Sequence, residues 1–205
     1  MELKSLSTAT IILRGFDTDE VESVVESMVE SPIKNIEVTS NSPNYIKTIE
    51  YISQNYPNIN VGAGTIIRYE QAEESIKAGA SFLLSPTKLN PDVIKLCKDN
   101  DVISVPSGMT PSEIYEMFEY GADIVKVFPA TTIGPKFFKD IQAPLGDLNL
   151  MAVGGININN AKDFLDNKCK YLGIGSGMFR KKDIEDKNIQ NLKKSIQEFS
   201  KIMED

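Results

Sequence analysis

Short apolar, β-branched runs alternate along the chain with longer segments in which apolar residues return every three or four positions. That alternation predicts a parallel sheet wrapped by helices. Eight such runs centre on Ala9 to Leu13, Asn35 to Thr39, Asn60 to Ala63, Ser81 to Ser85, Val102 to Pro106, Asp123 to Phe128, Asn149 to Val153 and Tyr171 to Gly175. Between them, Val21, Val24, Val25, Met28 and Val29 carry the spacing of a helix with one buried face, as do Ile114, Met117 and Phe118, and later Ile189, Leu192, Ile196, Phe199 and Ile202. Ser42-Pro43, Asn90-Pro91 and Thr110-Pro111 each set a capping residue before a proline suited to the first helical turn, and Thr110 with Glu113 predicts a capping box. Gly79 and Gly121 fall where a left-handed residue ends a helix. Eight strand-plus-helix units without a long insertion predict a single (β/α)8 barrel over residues 1–205. The competing arrangement is an open doubly wound sheet, which usually holds about five or six strands.

Composition narrows the chemistry. With 22 Lys plus Arg against 29 Asp plus Glu, the net charge of −7 favours solubility and disfavours a broad grip on nucleic acid or anionic membrane. An anionic substrate then needs a local pocket. No segment approaches the roughly 18 apolar residues of a membrane span, and the start lacks a basic stretch leading into an apolar run, so the expected setting is cytoplasmic. Cys97 and Cys169 stand far apart with no metal-ligand spacing, which argues for packing residues. Histidine is absent, which excludes a Ser-His-Asp triad, a His-ligated metal and an imidazole base. No cofactor is expected, and proton transfer must use carboxylate, amine, hydroxyl or water.

In a barrel, strand side chains alternate between the helix layer and the interior, and active sites gather at the carboxyl ends of the strands. Lys126 interrupts the apolar run Ile124 to Phe128, between two valines. If it faces inward, desolvation lowers its pKa and frees a neutral amine for addition to a carbonyl; the alternative is a lysine whose stem crosses the sheet to reach solvent. Glu37 shares one strand face with Thr39 and offers an acid/base, with a structural salt bridge as the plainer role. The glycines of Gly62-Ala-Gly-Thr65 let backbone approach a ligand, and Thr65 could bind a carboxylate oxygen, although a tight turn also accounts for them. Gly154-Gly155 and Gly175-Ser176-Gly177 close the last two runs, where barrel enzymes commonly bind phosphate through backbone amides. Arg14 ends the first run and could add a charge for that anion or for a substrate carboxylate; it could equally be a surface arginine.

Taken together, Glu37-Val-Thr39, Gly62-Ala-Gly-Thr65, Ser85-Pro86, Lys126-Val-Phe-Pro-Ala130, Gly154-Gly155 and Gly175-Ser176 resemble, in order and spacing, the KDPG/KHG aldolases over almost the whole chain. The resemblance implies cleavage of a small 2-keto acid, such as 2-keto-3-deoxy-6-phosphogluconate or 4-hydroxy-2-oxoglutarate, to pyruvate and an aldehyde without metal. It implies that Lys126 forms the imine, Glu37 moves protons and Thr65 holds the pyruvoyl carboxylate. Pro86 and Phe128 would wall the pocket, Gly154, Gly155 and Ser176 would meet a phosphate, and the assembly would be a homotrimer. Two positions depart from the pattern. Asn41, a candidate substrate contact, stands where well-studied members carry arginine, so a charged clamp on the substrate is lost or must come from Arg14, and Val153 precedes Gly154-Gly155 where many members have threonine. Two rivals remain open at this point: a phosphate-binding barrel isomerase or epimerase using Glu37 as base, and a catalytically silent sugar-acid-binding barrel.

Overall fold

Each apolar run becomes a parallel strand, and the order of pairing bends the strands into a ring. The computed structural model describes residues 3–204. Strands β1 (Ala9–Leu13), β2 (Asn35–Thr39), β3 (Asn60–Gly64), β4 (Phe82–Leu84), β5 (Ile103–Val105), β6 (Ser107–Gly108), β7 (Val125–Val127), β8 (Leu150–Val153) and β9 (Tyr171–Ile174) form one sheet in the order β5-β4-β3-β2-β1-β9-β8-β7-β6. The two ends of that order, β5 and β6, are separated in sequence by Pro106 alone. They are halves of one barrel position, the first pairing with β4 and the second with β7. Proline has no N–H to give to a ladder, so the strand breaks there, yet the Pro106 carbonyl still accepts from Lys126 N at 2.8 Å. The fold is the expected (β/α)8 barrel with its fifth strand divided.

Helices α1 (Thr18–Met28), α2 (Tyr45–Asn55), α3 (Tyr69–Lys77), α4 (Pro91–Asp99), α5 (Pro111–Glu119), α6 (Ala130–Ile133), α7 (Lys136–Leu145), α8 (Ala161–Asp166), α9 (Lys181–Glu185) and α10 (Ile189–Glu204) follow the strands. Asn90 and Thr110 cap α4 and α5 as their prolines suggest, and the Thr110–Glu113 box is complete. Ser42-Pro43 does not start α2. That helix begins after Asn44, whose φ is +50°, while the Ser42 hydroxyl accepts from Gly15 N at 2.8 Å and pairs with the Thr39 hydroxyl at 3.0 Å. The serine thereby ties the end of β2 to the β1–α1 loop, a tertiary bond that local pattern cannot announce. Val29 also departs from expectation: α1 stops at Met28, and Val29, its C-cap, is exposed.

Two apolar layers result. Ile11, Leu13, Ile36, Val38, Val61, Ala63, Val125, Val127, Leu172 and Ile174 point outward and join the helices in the larger cluster. Phe82, Leu84, Ile103, Val105, Ile124, Met151 and Val153 fill the barrel interior, with Leu6 joining them from the segment before β1. Gly62 and Gly64 of β3 and Gly173 of β9 face inward, and that is what admits the large side chains: a Cβ on Gly62 would lie 2.2 Å from the Phe82 ring, and one on Gly173 2.7 Å from Val153 Cγ2. Gly62→Ala is therefore expected to destabilise the protein by about 1–3 kcal/mol through overpacking, read as a lower urea midpoint, with partial recovery on adding Phe82→Leu.

Candidate active site

At the carboxyl ends of the strands the inward polar residues meet in a cavity of about 680 Å³, within the usual range for small-molecule sites. Its walls include Lys126, Glu37, Arg14, Thr65, Pro86, Phe128, Gly154, Gly155 and Ser176, so nine of the ten residues singled out in the sequence face one space.

Lys126 is placed by strand parity. Val125 and Val127 are fully buried against the helices, so the lysine between them points into the barrel, where it is only 6% exposed. Its Nζ stands 5.1 Å from the centre of the Phe128 ring. Burial drives its pKa below the ordinary lysine value; the Arg14 charge pushes the same way, and Glu37 opposes both. The Ser107 hydroxyl donates to the Lys126 carbonyl at 3.1 Å, which holds the strand at the break left by Pro106.

Glu37 lies 2% exposed on β2, between Ile36 and Val38 of the outer layer. Burial raises its pKa, with Lys126 and then Arg14 acting against that rise. Its Oε2 is buried without a hydrogen-bond partner. A buried acceptor left unpaired costs stability, so it marks a position maintained for something other than folding. The carboxyl occupies space that exists only because residue 64 is glycine: a Cβ there would sit 1.5 Å from Glu37 Oε1. Gly62 and Gly64 thus make room for neighbouring side chains, where the sequence suggested a close approach to ligand or a tight turn.

Arg14 is exposed at the mouth, and its Nη1 donates to Asn41 Oδ1 at 2.9 Å and to Thr65 Oγ1 at 3.2 Å. Asn41 is the one of the ten that is not on the cavity wall; its amide oxygen is turned to the guanidinium and fixes where that charge sits. Thr65 has φ +60°, a conformation that a β-branched residue adopts only under constraint. The constraint is visible in its surroundings: Ser40 Oγ donates to the Thr65 carbonyl at 2.8 Å and Ile66 N to the Leu84 carbonyl at 3.1 Å. Nothing in the linear pattern marks Ser40; only the packing of β2 against β3 brings it to Thr65.

On the opposite wall, Gly154 and Gly155 have φ of +101° and +79°, which only glycine adopts without strain. The Thr131 hydroxyl donates to the Gly154 carbonyl at 3.1 Å. Gly177 approaches the Ile156 carbonyl so closely that a Cβ would be 2.1 Å from it, so the loops after β8 and β9 form one continuous floor. Apolar residues absent from the sequence reading, Phe16, Phe179 and Ile184, complete the mouth.

A buried amine beside an unpaired buried carboxyl at the mouth of a barrel agrees with the comparisons to known proteins. The profile of the KDPG and KHG aldolase family matches residues 3–195. The chain belongs to that family. Among its relatives, a probable 2-dehydro-3-deoxy-6-phosphogalactonate aldolase of Rhizobium meliloti (strain 1021) is 33% identical over 171 residues, covering 82% of this chain and 80% of that protein. The 2-dehydro-3-deoxy-phosphogluconate aldolase of Haemophilus influenzae is 28% identical over 198 residues, covering 96% and 92%. A solved structure described as native KDPGal superposes with a TM-score of 0.85 at 26% identity, covering 96% of each chain. This member of the KDPG and KHG aldolases is accordingly a carbon–carbon lyase. No helix among the described residues is long and apolar enough to cross a membrane.

The burial of Lys126 has a measurable sign. A lysine whose pKa falls on folding contributes most above its unfolded value, and that contribution is lost as pH drops through the folded pKa. At pH 7 the side chain therefore costs stability. Replacing Lys126 and Glu37 together by Met, which removes both buried charges at similar volume, is expected to stabilise the protein by about 1–2 kcal/mol at pH 7 and by less as pH rises toward the ordinary lysine range, measured by urea unfolding at both ends.

Proposed function

We propose that this aldolase works through an imine on Lys126 and that its substrate is a 2-keto-3-deoxy sugar acid carrying a terminal phosphate. The observation that carries the reading is the pairing, in one cavity, of the buried Lys126 amine with the unpartnered Glu37 carboxyl. The Lys126 nitrogen adds to the C2 carbonyl and water leaves, giving a protonated imine. Glu37 accepts the proton of the C4 hydroxyl; the C3–C4 bond breaks, its electron pair flows to the imine nitrogen, and an aldehyde departs from C4. The remaining enamine is protonated at C3, and water releases pyruvate and restores the amine.

The raised pKa of Glu37 suits a group that must both take and return a proton near neutrality. Arg14, aimed by Asn41 and Thr65, is suited to the carboxylate of the pyruvoyl half. Pro86 and Phe128 would then wall the reacting centre, and the floor formed by Gly154, Gly155 and Ser176 would receive the phosphate. Within the substrate class, the phosphogalactonate epimer is favoured, because the Rhizobium meliloti relative and a second relative from Escherichia coli (strain K12) are both named for it. A homotrimeric assembly accompanies this reading through the family resemblance, and the cytoplasmic setting stays the expectation drawn from the sequence.

Borohydride treatment in the presence of pyruvate is expected to leave a reduced pyruvyl adduct on the Lys126 peptide in mass spectrometry. A protein that releases pyruvate from substrate yet takes up no adduct at Lys126 would refute the assignment. Glu37→Gln and Gly64→Ala separate the two steps. The first removes the base and the second displaces it, so each should lower kcat about 10²- to 10⁴-fold while borohydride still traps pyruvate on Lys126.

A further inference from the structure

We propose that Lys181 is a specificity-determining residue of this aldolase, supplying the positive charge that recognises the phosphoryl end of the substrate. The inference rests on the reading above that the substrate is phosphorylated. The floor formed by the loops after β8 and β9 offers backbone groups and the Ser176 hydroxyl, which orient a phosphate but leave its charge uncompensated. Among the described residues, the cations lining the cavity are Arg14, Lys126 and Lys181. Lys126 is driven toward its neutral form by burial. Arg14 is tied to Asn41 and Thr65 on the β1–β3 side. Lys181 is left, and it opens α9 a few residues beyond Ser176-Gly177, on the same wall as that floor.

Its present partner is suited to being exchanged. Lys181 Nζ lies 2.7 Å from Glu185 Oε1, one helical turn away, with side chains 77% and 45% exposed. A pair so exposed holds its cation weakly, whereas a phosphate dianion offers several acceptor oxygens and more charge. Glu185 therefore holds the ammonium near the mouth until a phosphorylated substrate takes it over.

The test compares kcat/KM, by pyruvate release, for 2-keto-3-deoxy-6-phosphogalactonate and its unphosphorylated counterpart in the wild type, Lys181→Gln, Lys181→Arg and Glu185→Gln. Lys181→Gln should lower the phosphorylated-to-unphosphorylated ratio about tenfold, mainly through KM, and weaken inhibition by inorganic phosphate in step. Lys181→Arg should restore most of the ratio, and Glu185→Gln, which frees the lysine, should raise it. A wild type that prefers the phosphorylated acid by a ratio that Lys181→Gln leaves intact overturns the role of Lys181 alone. A wild type that releases pyruvate with no such preference overturns the phosphate reading and this inference together.

Discussion

The site depends on keeping one amine dry. Lys126 sits on a strand whose flanking valines are locked into the outer apolar layer, so its side chain has no direction open but inward. Once there, it loses water that would have stabilised its charge, and Glu37 only partly replaces that water. The rest of the mouth can be understood as support for this arrangement: Gly64 clears space for the carboxyl, Phe128 covers the amine, and Pro106 divides the neighbouring strand while its carbonyl still receives the Lys126 N–H.

Support for the site comes from small residues as much as from polar ones. Glycines at inward positions of β3 and β9 let Phe82 and Val153 fill the barrel, and that packing closes the interior below the reacting groups. A packed interior of this kind is stiff, so small displacements at Gly62 or Gly64 are passed on to the residues that line the mouth. The strained φ of Thr65 belongs to the same logic: two hydrogen bonds to its segment hold a conformation that its own side chain disfavours, and the Thr65 hydroxyl then stands within reach of Arg14.

The two walls of the cavity differ in character. One side carries charge fixed in position by side-chain hydrogen bonds, with Arg14 held by Asn41 and Thr65. The other is built from turns whose glycines allow the backbone itself to face the cavity, with Lys181 at its rim. A substrate with a carboxylate at one end and a phosphate at the other matches that division, and the amine stands between the walls where the 2-keto carbon of such a molecule would lie.

Much of this was legible in the chain. Strand alternation and helical spacing are local consequences of side-chain direction, so the eight units, the inward face of Glu37 and the inward face of Lys126 follow from parity within short runs. The glycine turns after the last two strands are equally local, since a positive φ selects glycine wherever it occurs. Tertiary structure decided what depends on distance between strands. The linear order says nothing of Ser42 bonding the β1–α1 loop in place of capping a helix, of Asn41 accepting from Arg14, or of Ser40 restraining Thr65. Each joins residues about 25 or more positions apart that meet only because parallel strands are paired in one register. The depression of the Lys126 pKa has the same origin: desolvation is a property of the closed barrel, and no single run of sequence contains it.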